Sequence, residues 1–216
     1  PAVHGKAMLE AGYPFHSCSN ERFAHDRHIG YDAWTIDLIC GKQVTLADGR
    51  YSVFPESMQR ALKEFTSNGG NVIVSGAYVG TDAYDSIYPV EVCDSTRKAT
   101  CDFINKTLGY KYITSNAGRH GLVKPWSKSP VTNLESMSFS TAPNSIIYCI
   151  ESADAIAPAS NKGQTILKYS GSNLSAGVAY QGEGYKAVSF GFPIETLHTQ
   201  KTINNLIINT LEYIKK

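Results

Sequence analysis

The chain has 216 residues, 42% of them hydrophobic and 18% charged, which is enough for one domain with a sizeable core. Its 20 basic and 19 acidic residues leave a net charge of +1, so there is no electrostatic reason to expect nucleic acid or an anionic membrane as partner. No apolar run approaches the roughly 20 residues that span a bilayer, so no membrane span is expected.

The first residue is Pro1 rather than Met, which reads as a processed end or as a fragment of a longer multidomain chain. Residues 3–11 have a helical pattern with Ala7, Met8 and Leu9 among the apolar positions. A short strand is expected near Pro14–Ser17, then a brief helix over Glu21–His25 capped by Asn20. Trp34–Cys40 is a strong strand ended by Gly41. A helix runs from Pro55 to about Asn68, with Met58, Leu62 and Phe65 on one face, and Gly69-Gly70 stop it. The β-branched run Val72-Ile73-Val74 follows and leads into a glycine turn, Gly76-Ala77-Tyr78-Val79-Gly80. Ser95 or Thr96 caps a helix through Leu108, which Gly109 terminates.

Tyr110–Thr114, Gly121–Lys124, Met137–Ser140 and Ile146–Ile150 look extended. Four strands separated by turns come next: Ala155–Pro158, Thr165–Tyr169, Ser175–Tyr180 and Ala187–Gly191. Gly163, Asn173, Gly182 and Gly184 mark the turns. A helix over Thr199–Lys215 closes the chain, its inner face formed by Ile203, Leu206, Ile207, Leu211 and Ile214. Residues 1–216 thus read as one α/β domain. The expected form is a three-layer sandwich whose mostly parallel central sheet holds Ile36–Cys40, Val72–Ser75 and Ala187–Phe190. A strand meander is added in the second half. An α/β domain usually opens with a strand, so the first strand is either upstream of Pro1 or the segment near Pro14–Ser17.

The five cysteines form no Cys-x-x-Cys pair, which speaks against a zinc or redox motif. Cys40 and Cys149 sit in apolar strand-like runs and are expected to be free and buried. Cys93 and Cys101 are close enough in sequence to bridge in an oxidising compartment, whereas a helix starting between them would hold their sulfurs too far apart. His16, His25 and His28 lie near Asp26, but no further ligand stands at a convincing spacing, so no metal is assigned. No cofactor motif is present either. His4 and His198 have no visible partners in the sequence.

The elbow is the most informative stretch. It matches the Gly-x-Cys-x-Gly elbow of class I glutamine amidotransferases, with Tyr78 where the cysteine stands. The exit of the last strand, Gly191-Phe192-Pro193-Ile194-Glu195, is similar to the His-Pro-Glu ending of that family. Phe192 replaces the histidine and Glu195 is displaced by one residue. The chain therefore resembles a class I glutamine amidotransferase-like domain, a flavodoxin-like α/β sandwich that lacks the catalytic Cys and His. The family reaction needs a thiolate and a base. A tyrosine, with a pKa of about 10, and a phenylalanine supply neither, so glutamine hydrolysis is not expected.

A second resemblance is to secreted multidomain proteins of gut Bacteroidetes labelled as xanthan lyases. It rests on Val3-His4-Gly5, Gly12-Tyr13-Pro14-Phe15 with Ser17, Gly69-Gly70-Asn71, Ser75 through Asp82, and Asn116-Ala117 near Arg119. It implies a periplasmic or cell-surface setting and the handling of polysaccharide.

Tyr78 reads either as a general acid or base of tuned pKa or as a ring filling an emptied nucleophile pocket. Asp82 reads as a ligand contact or as a helix cap. Arg119-His120, in a glycine-flanked loop with Asn116, can bind a uronate carboxylate or be simply solvated. Glu195 is a surviving acid or a carboxylate that precedes or opens the last helix. Of the 13 tyrosines, Tyr78, Tyr84, Tyr88, Tyr180 and Tyr185 fall near turns, where exposed rings can stack on sugars.

Two functions follow. One is a non-catalytic accessory or binding domain that contacts acidic polysaccharide or other domains of its own chain. The other is a polysaccharide lyase or hydrolase using Tyr78 with His120 and Arg119. In both, ligand is expected at Tyr78, Asp82, Asn116, Arg119 and Glu195, beyond the carboxyl ends of the strands.

Overall fold

A computed structural model describes residues 1–26, 32–45, 51–84, 94–142 and 148–216. In chain order the elements are α1 (Ala2–Glu10), α2 (Asn20–His25), β1 (Thr35–Gly41), α3 (Glu56–Ser67), β2 (Asn71–Gly76), α4 (Thr81–Tyr84) and α5 (Asp94–Phe103). A π-helical turn (Ile104–Leu108) extends α5. Then come β3 (Tyr110–Thr114), β4 (Leu122–Pro125), β5 (Met137–Ser138), β6 (Ala155–Pro158), β7 (Gly163–Tyr169), β8 (Ser175–Gln181) and β9 (Lys186–Phe190). A 3₁₀ turn (Ile194–Thr196) leads to α6 (Gln200–Lys215).

Seven strands form one sheet in the order β1-β2-β9-β8-β7-β4-β5, and β3 pairs with β6 in a second, two-stranded sheet. β1, β2 and β9 run parallel, whereas β9-β8, β8-β7, β7-β4 and β4-β5 are antiparallel. The sheet is therefore mixed, and the expectation of a mostly parallel one is corrected. The reason lies in the connections. β1 and β2 are joined through α3, a crossover long enough to return the chain in the same direction. β7, β8 and β9 are joined by tight turns, which force neighbours to run in opposite senses.

Alternation along β2 sorts the core. Ile73 faces one side with Val188, Phe190, Ala7 and the apolar stripe of α6. Val72 and Val74 face the other with Met58 and Leu62 of α3 and Phe103 of α5. Helices thus cover both faces, as the stripes at 58/62 and 203/206/207/211/214 predict. α6 starts with Thr199, whose Oγ1 accepts from Thr202 N at 3.1 Å. Gly109 ends the π turn with φ +75°, and a Cβ there would meet the Tyr180 ring at 2.0 Å, so no other residue fits.

Several local expectations shift. No strand forms over Pro14–Ser17, so β1 is the first strand of the described chain. The cap of α2 is Ser19, which accepts from Arg22 N at 3.1 Å, rather than Asn20. Of the strand expected at 146–150, residues 146 and 147 lie outside the described residues, and 148–150 are not extended into a ladder. His28, Tyr88 and Cys93 also lie outside the described residues. Among the described residues no helix is long and apolar enough to cross a membrane.

Candidate functional site at the strand ends

β2 ends where the chain must turn sharply. A Cβ on Gly76 would come within 2.8 Å of the Cys40 Cβ, so only glycine lets the neighbouring strands stay in register. Ala77 N then donates to Gly41 O at 2.8 Å, tying the elbow to the end of β1.

One buried side chain fixes the rest of the turn. Asp154 accepts from Gly80 N and Thr81 N, both at 2.7 Å, and from Thr81 Oγ1 at 2.5 Å. Its own N–H donates towards Ala77 O and Gly191 O. Burial pushes the Asp154 carboxyl up to about 7, against the pull of the Thr81 and Gly80 donors. Tyr110 Oη adds a bond to Val79 O at 2.8 Å. The elbow is thereby held from three sides, and it carries Tyr78 half-buried against the core.

Beside the elbow lies a chain of ionisable groups. His4, 1% exposed on α1, sits with Nδ1 2.7 Å from Asp37 Oδ2 on β1. Its Nε2 is 3.4 Å from Glu195 Oε2, an ion-pair distance without hydrogen-bond alignment. Tyr148 Oη donates to Glu195 Oε1 at 2.5 Å. Burial alone would lower the imidazole pKa. The charge and hydrogen bond of Asp37, with Glu195 behind them, override it and push His4 up to about 9. Burial also works to raise Glu195, but His4 and Tyr148 hold it below the usual carboxylate range. Burial and the Glu195 charge push the Tyr148 hydroxyl far up, so it stays protonated and donates. At neutral pH the cluster is an imidazolium between two carboxylates, capped by a phenol.

Cys40 lies within this field but is no nucleophile. Burial, then the charges of Glu195, Asp37 and Asp82, push its thiol far up and keep it neutral. The outer edge carries Lys42, whose Nζ is 2.5 Å from Glu151 Oε2. Cys149 Sγ lies 3.6 Å from Glu151 Oε1.

Cys149 is half-exposed rather than buried, because residues 148–150 join no ladder and it is the next side chain, Ile150, that enters the core. Cys40 is buried as expected, and Cys101 is free. Thiol labelling of the native protein with an aromatic disulfide reagent is expected to modify Cys18 and Cys149 rapidly and Cys40 only after unfolding. Fast modification of Cys40 would overturn its place in the core.

The residues singled out in the sequence take up different surroundings, and the loop of Asn116 and Arg119 is tied next to the elbow's anchor, Ala117 N donating to Ala153 O beside Asp154. Glu195 precedes the last helix without opening it: it is buried in the 3₁₀ turn and belongs to the His4 cluster. Asp82 stands in the first turn of α4, yet its carboxylate reaches outward to Thr45 N at 2.5 Å and Val53 N at 2.9 Å. It therefore pins the ends of the β1–α3 connection. A hollow of about 410 Å³ opens on that side, between α3 and α5, and Tyr78 does not line it.

Asn116 Oδ1 accepts from Arg119 Nε at 2.5 Å, so these two act as a pair. His120 packs over Gly171 at the β7–β8 turn. Phe192 is wholly buried and stacks on Phe139 with ring centres 5.4 Å apart. His198 has a partner after all, Ser138 Oγ at 2.9 Å. Among the described residues no three His, Cys, Asp or Glu side chains gather as a metal site.

Sequence reasoning missed Asp154, the His4–Asp37 pair, Tyr148 and Lys42–Glu151. One signal existed: Asp37 interrupts the apolar run Ile36 to Cys40, and a carboxylate on the packed face of a strand needs a partner.

No protein-family model matches the chain, and no curated protein matches it by sequence. Solved structures do match. A GH42 β-galactosidase from G. stearothermophilus aligns over 99% of this chain at 13% identity with a TM-score of 0.55, but the chain spans only 25% of that enzyme's length. A cytoplasmic protein of Salmonella typhimurium LT2 aligns over all of this chain and 87% of its own, at 9% identity and a TM-score of 0.64. A second cytoplasmic protein of Salmonella typhimurium covers 98% of this chain and 85% of its own, at 12% identity and 0.60. At these identities the likeness concerns the fold alone.

Proposed function

We propose that this chain is a class I glutamine amidotransferase-like, flavodoxin-type domain that has lost its nucleophile. In this reading it serves as a non-catalytic binding or accessory domain of a secreted or cell-surface polysaccharide-handling protein. One observation carries the reading: the positions of nucleophile and base hold Tyr78 and a Phe192 sunk into the core. Acyl transfer by the family route needs a thiolate beside a base, and neither group can be supplied there.

Other features support the same reading. The elbow and Glu195 lie at the carboxyl ends of the three parallel strands, where α/β sheets collect ligands. Tyr78 is half-buried and Tyr148 is 37% exposed, and aromatic ring surface of this kind can pack on the C–H faces of sugars. The β-galactosidase is matched over a quarter of its length, the proportion of one domain within a larger sugar-processing chain.

The test is a binding measurement with xanthan and polygalacturonate, run beside assays for ammonia release from glutamine and for unsaturated uronates. Binding without turnover in either assay is expected. Tyr78→Ala should weaken binding about tenfold, or ~1.4 kcal/mol. Formation of unsaturated uronates would replace this reading with a lyase using Tyr78, His120 and Arg119. Glutamine turnover abolished by Tyr78→Phe would restore the amidotransferase activity.

A further inference from the structure

We propose that Ser138 and His198 form a nucleophile–base pair that takes short, uncharged acyl esters and hydrolyses them through an acyl-serine. This goes beyond the binding reading above, which concerns the elbow, and does not depend on it. The pair is built by the edge of the sheet. β5 buries Met137 and leaves the next residue, Ser138, half-buried. Leu122 of β4 pairs with Ser138 across one side. Phe139 bridges Leu197 in antiparallel fashion, and His198 N donates to Ser138 O at 3.1 Å. Both backbones are therefore fixed, and His198 Nδ1 comes to 2.9 Å from Ser138 Oγ. That is the reach a general base needs to draw the proton from a hydroxyl. With the ring proton on Nε2, Nδ1 accepts and Ser138 Oγ donates.

Two further observations point to a ligand. The first is a hollow of about 260 Å³ lined by both side chains, with an apolar wall of Leu122, Val123 and Met137. Leu122 is 50% exposed, so that wall offers uncovered apolar surface. Among the described residues no Asp, Glu, Lys or Arg lines the hollow, which favours an uncharged group. Its volume lies below the roughly 300–1,000 Å³ of sites for drug-sized ligands and suits an acyl group as small as acetyl. The second observation is α6, whose N-cap Thr199 lines the same hollow. The Thr199 hydroxyl takes up Thr202 N, and the N–H groups of Gln200 and Lys201 have no partner within the helix. This positive end favours negative charge on an ester carbonyl oxygen.

The reaction balances with water as the only co-reactant. Ser138 Oγ bonds to the carbonyl carbon as its proton passes to His198 Nδ1, and the C=O electron pair moves onto the oxygen. The electrons return, the bond to the leaving alcohol breaks, and His198 gives that oxygen its proton. Water then attacks acyl-Ser138: its proton goes to His198, its oxygen bonds to the acyl carbon, and the C–Oγ bond breaks as Oγ regains the proton. Alcohol and carboxylic acid leave, and nothing is oxidised or reduced. Among the described residues no carboxylate bonds the other ring nitrogen of His198, so turnover is expected to be slow.

The experiment follows labelling by a fluorophosphonate, located by peptide mass mapping, beside hydrolysis of p-nitrophenyl acetate and p-nitrophenyl palmitate. Wild type should be labelled on Ser138, and Ser138→Ala should lose the label. His198→Ala should react about a hundredfold more slowly, and added imidazole should restore much of the labelling rate. A merely structural bond between the two side chains would give no such rescue. Acetate ester turnover should fall in parallel, and the palmitate ester should react poorly. A wild type unlabelled at Ser138, equal labelling in His198→Ala, or imidazole without effect overturns the proposal. Palmitate turned over as fast as acetate overturns its restriction to short acyl groups. Should a variant melt early, labelling of wild type at Ser138 decides by itself. Polysaccharide binding is read through Tyr78, so failure here leaves the elbow's reading standing.

Discussion

Replacing His4 with alanine is expected to lower the unfolding free energy by about 3–5 kcal/mol, because it strands Asp37 and Glu195 as neighbouring buried carboxylates. The loss is largely the cost of two uncompensated charges rather than of missing contacts. Adding Asp37→Asn and Glu195→Gln to His4→Ala should therefore recover much of it. The same pair sets a pH dependence. The His4 pKa is about 9 in the folded chain against 6.5 unfolded, so its stabilisation is complete below about pH 6.5 and is lost as the pH rises through about 9. The full difference is about 3 kcal/mol, and it should vanish in the triple variant. Glu195 acts oppositely: its depressed pKa gives stability that is present at neutral pH and lost on acidification. Urea denaturation from about pH 3 to about pH 10 checks both. A His4→Ala protein as stable as wild type at pH 6 would refute the ion-pair account.

The second large effect belongs to Asp154. Asp154→Ala removes the acceptor of two backbone N–H groups and one hydroxyl in a dry interior. Each orphaned donor costs about 1–3 kcal/mol, so a loss of about 3–5 kcal/mol is expected. The elbow should loosen with it, and hydrogen exchange at Gly80 and Thr81 should accelerate more than in the helices. Asp154→Asn keeps the shape but can turn an N–H towards existing donors, and an intermediate loss is expected. The Asp154 pKa is raised, so its burial favours folding most fully at low pH and opposes it increasingly as the pH climbs through about 7. The asparagine variant lacks that slope. Unchanged exchange at Gly80 in Asp154→Ala would remove Asp154 from the elbow's support.

Much of the architecture was legible because it rests on periodicity. The stripes of α3 and α6 and the β-branched run of β2 each repeat at one spacing and bury what the pattern says they bury. Strand direction was harder. The turns at Asn173 and Gly182–Gly184 marked a meander, but whether it joins the parallel strands or packs apart from them depends on β8 pairing with β9, which no local pattern encodes. The segment at Pro14–Ser17 misled for a related reason: a short extended run becomes a strand only where a free edge meets it. The site was least legible. Its pairs span 33 residues in His4–Asp37, 47 in Tyr148–Glu195 and 74 in Gly80–Asp154, and each member alone is an ordinary polar residue.

The position of β9 governs how this chain can fold. It docks against β2 from far along the sequence: Lys186 N donates to Asn71 Oδ1 across 115 residues. On the ribosome β1 and β2 emerge well before β9, so one flank of β2 stays unpaired while the long intervening segment is made. Closing so long a loop is slow, and an unsatisfied strand edge invites pairing with other chains meanwhile. Assembly of the central sheet is accordingly a late, cooperative event. C-terminal truncations that remove β9 should leave aggregating remnants rather than a smaller folded domain.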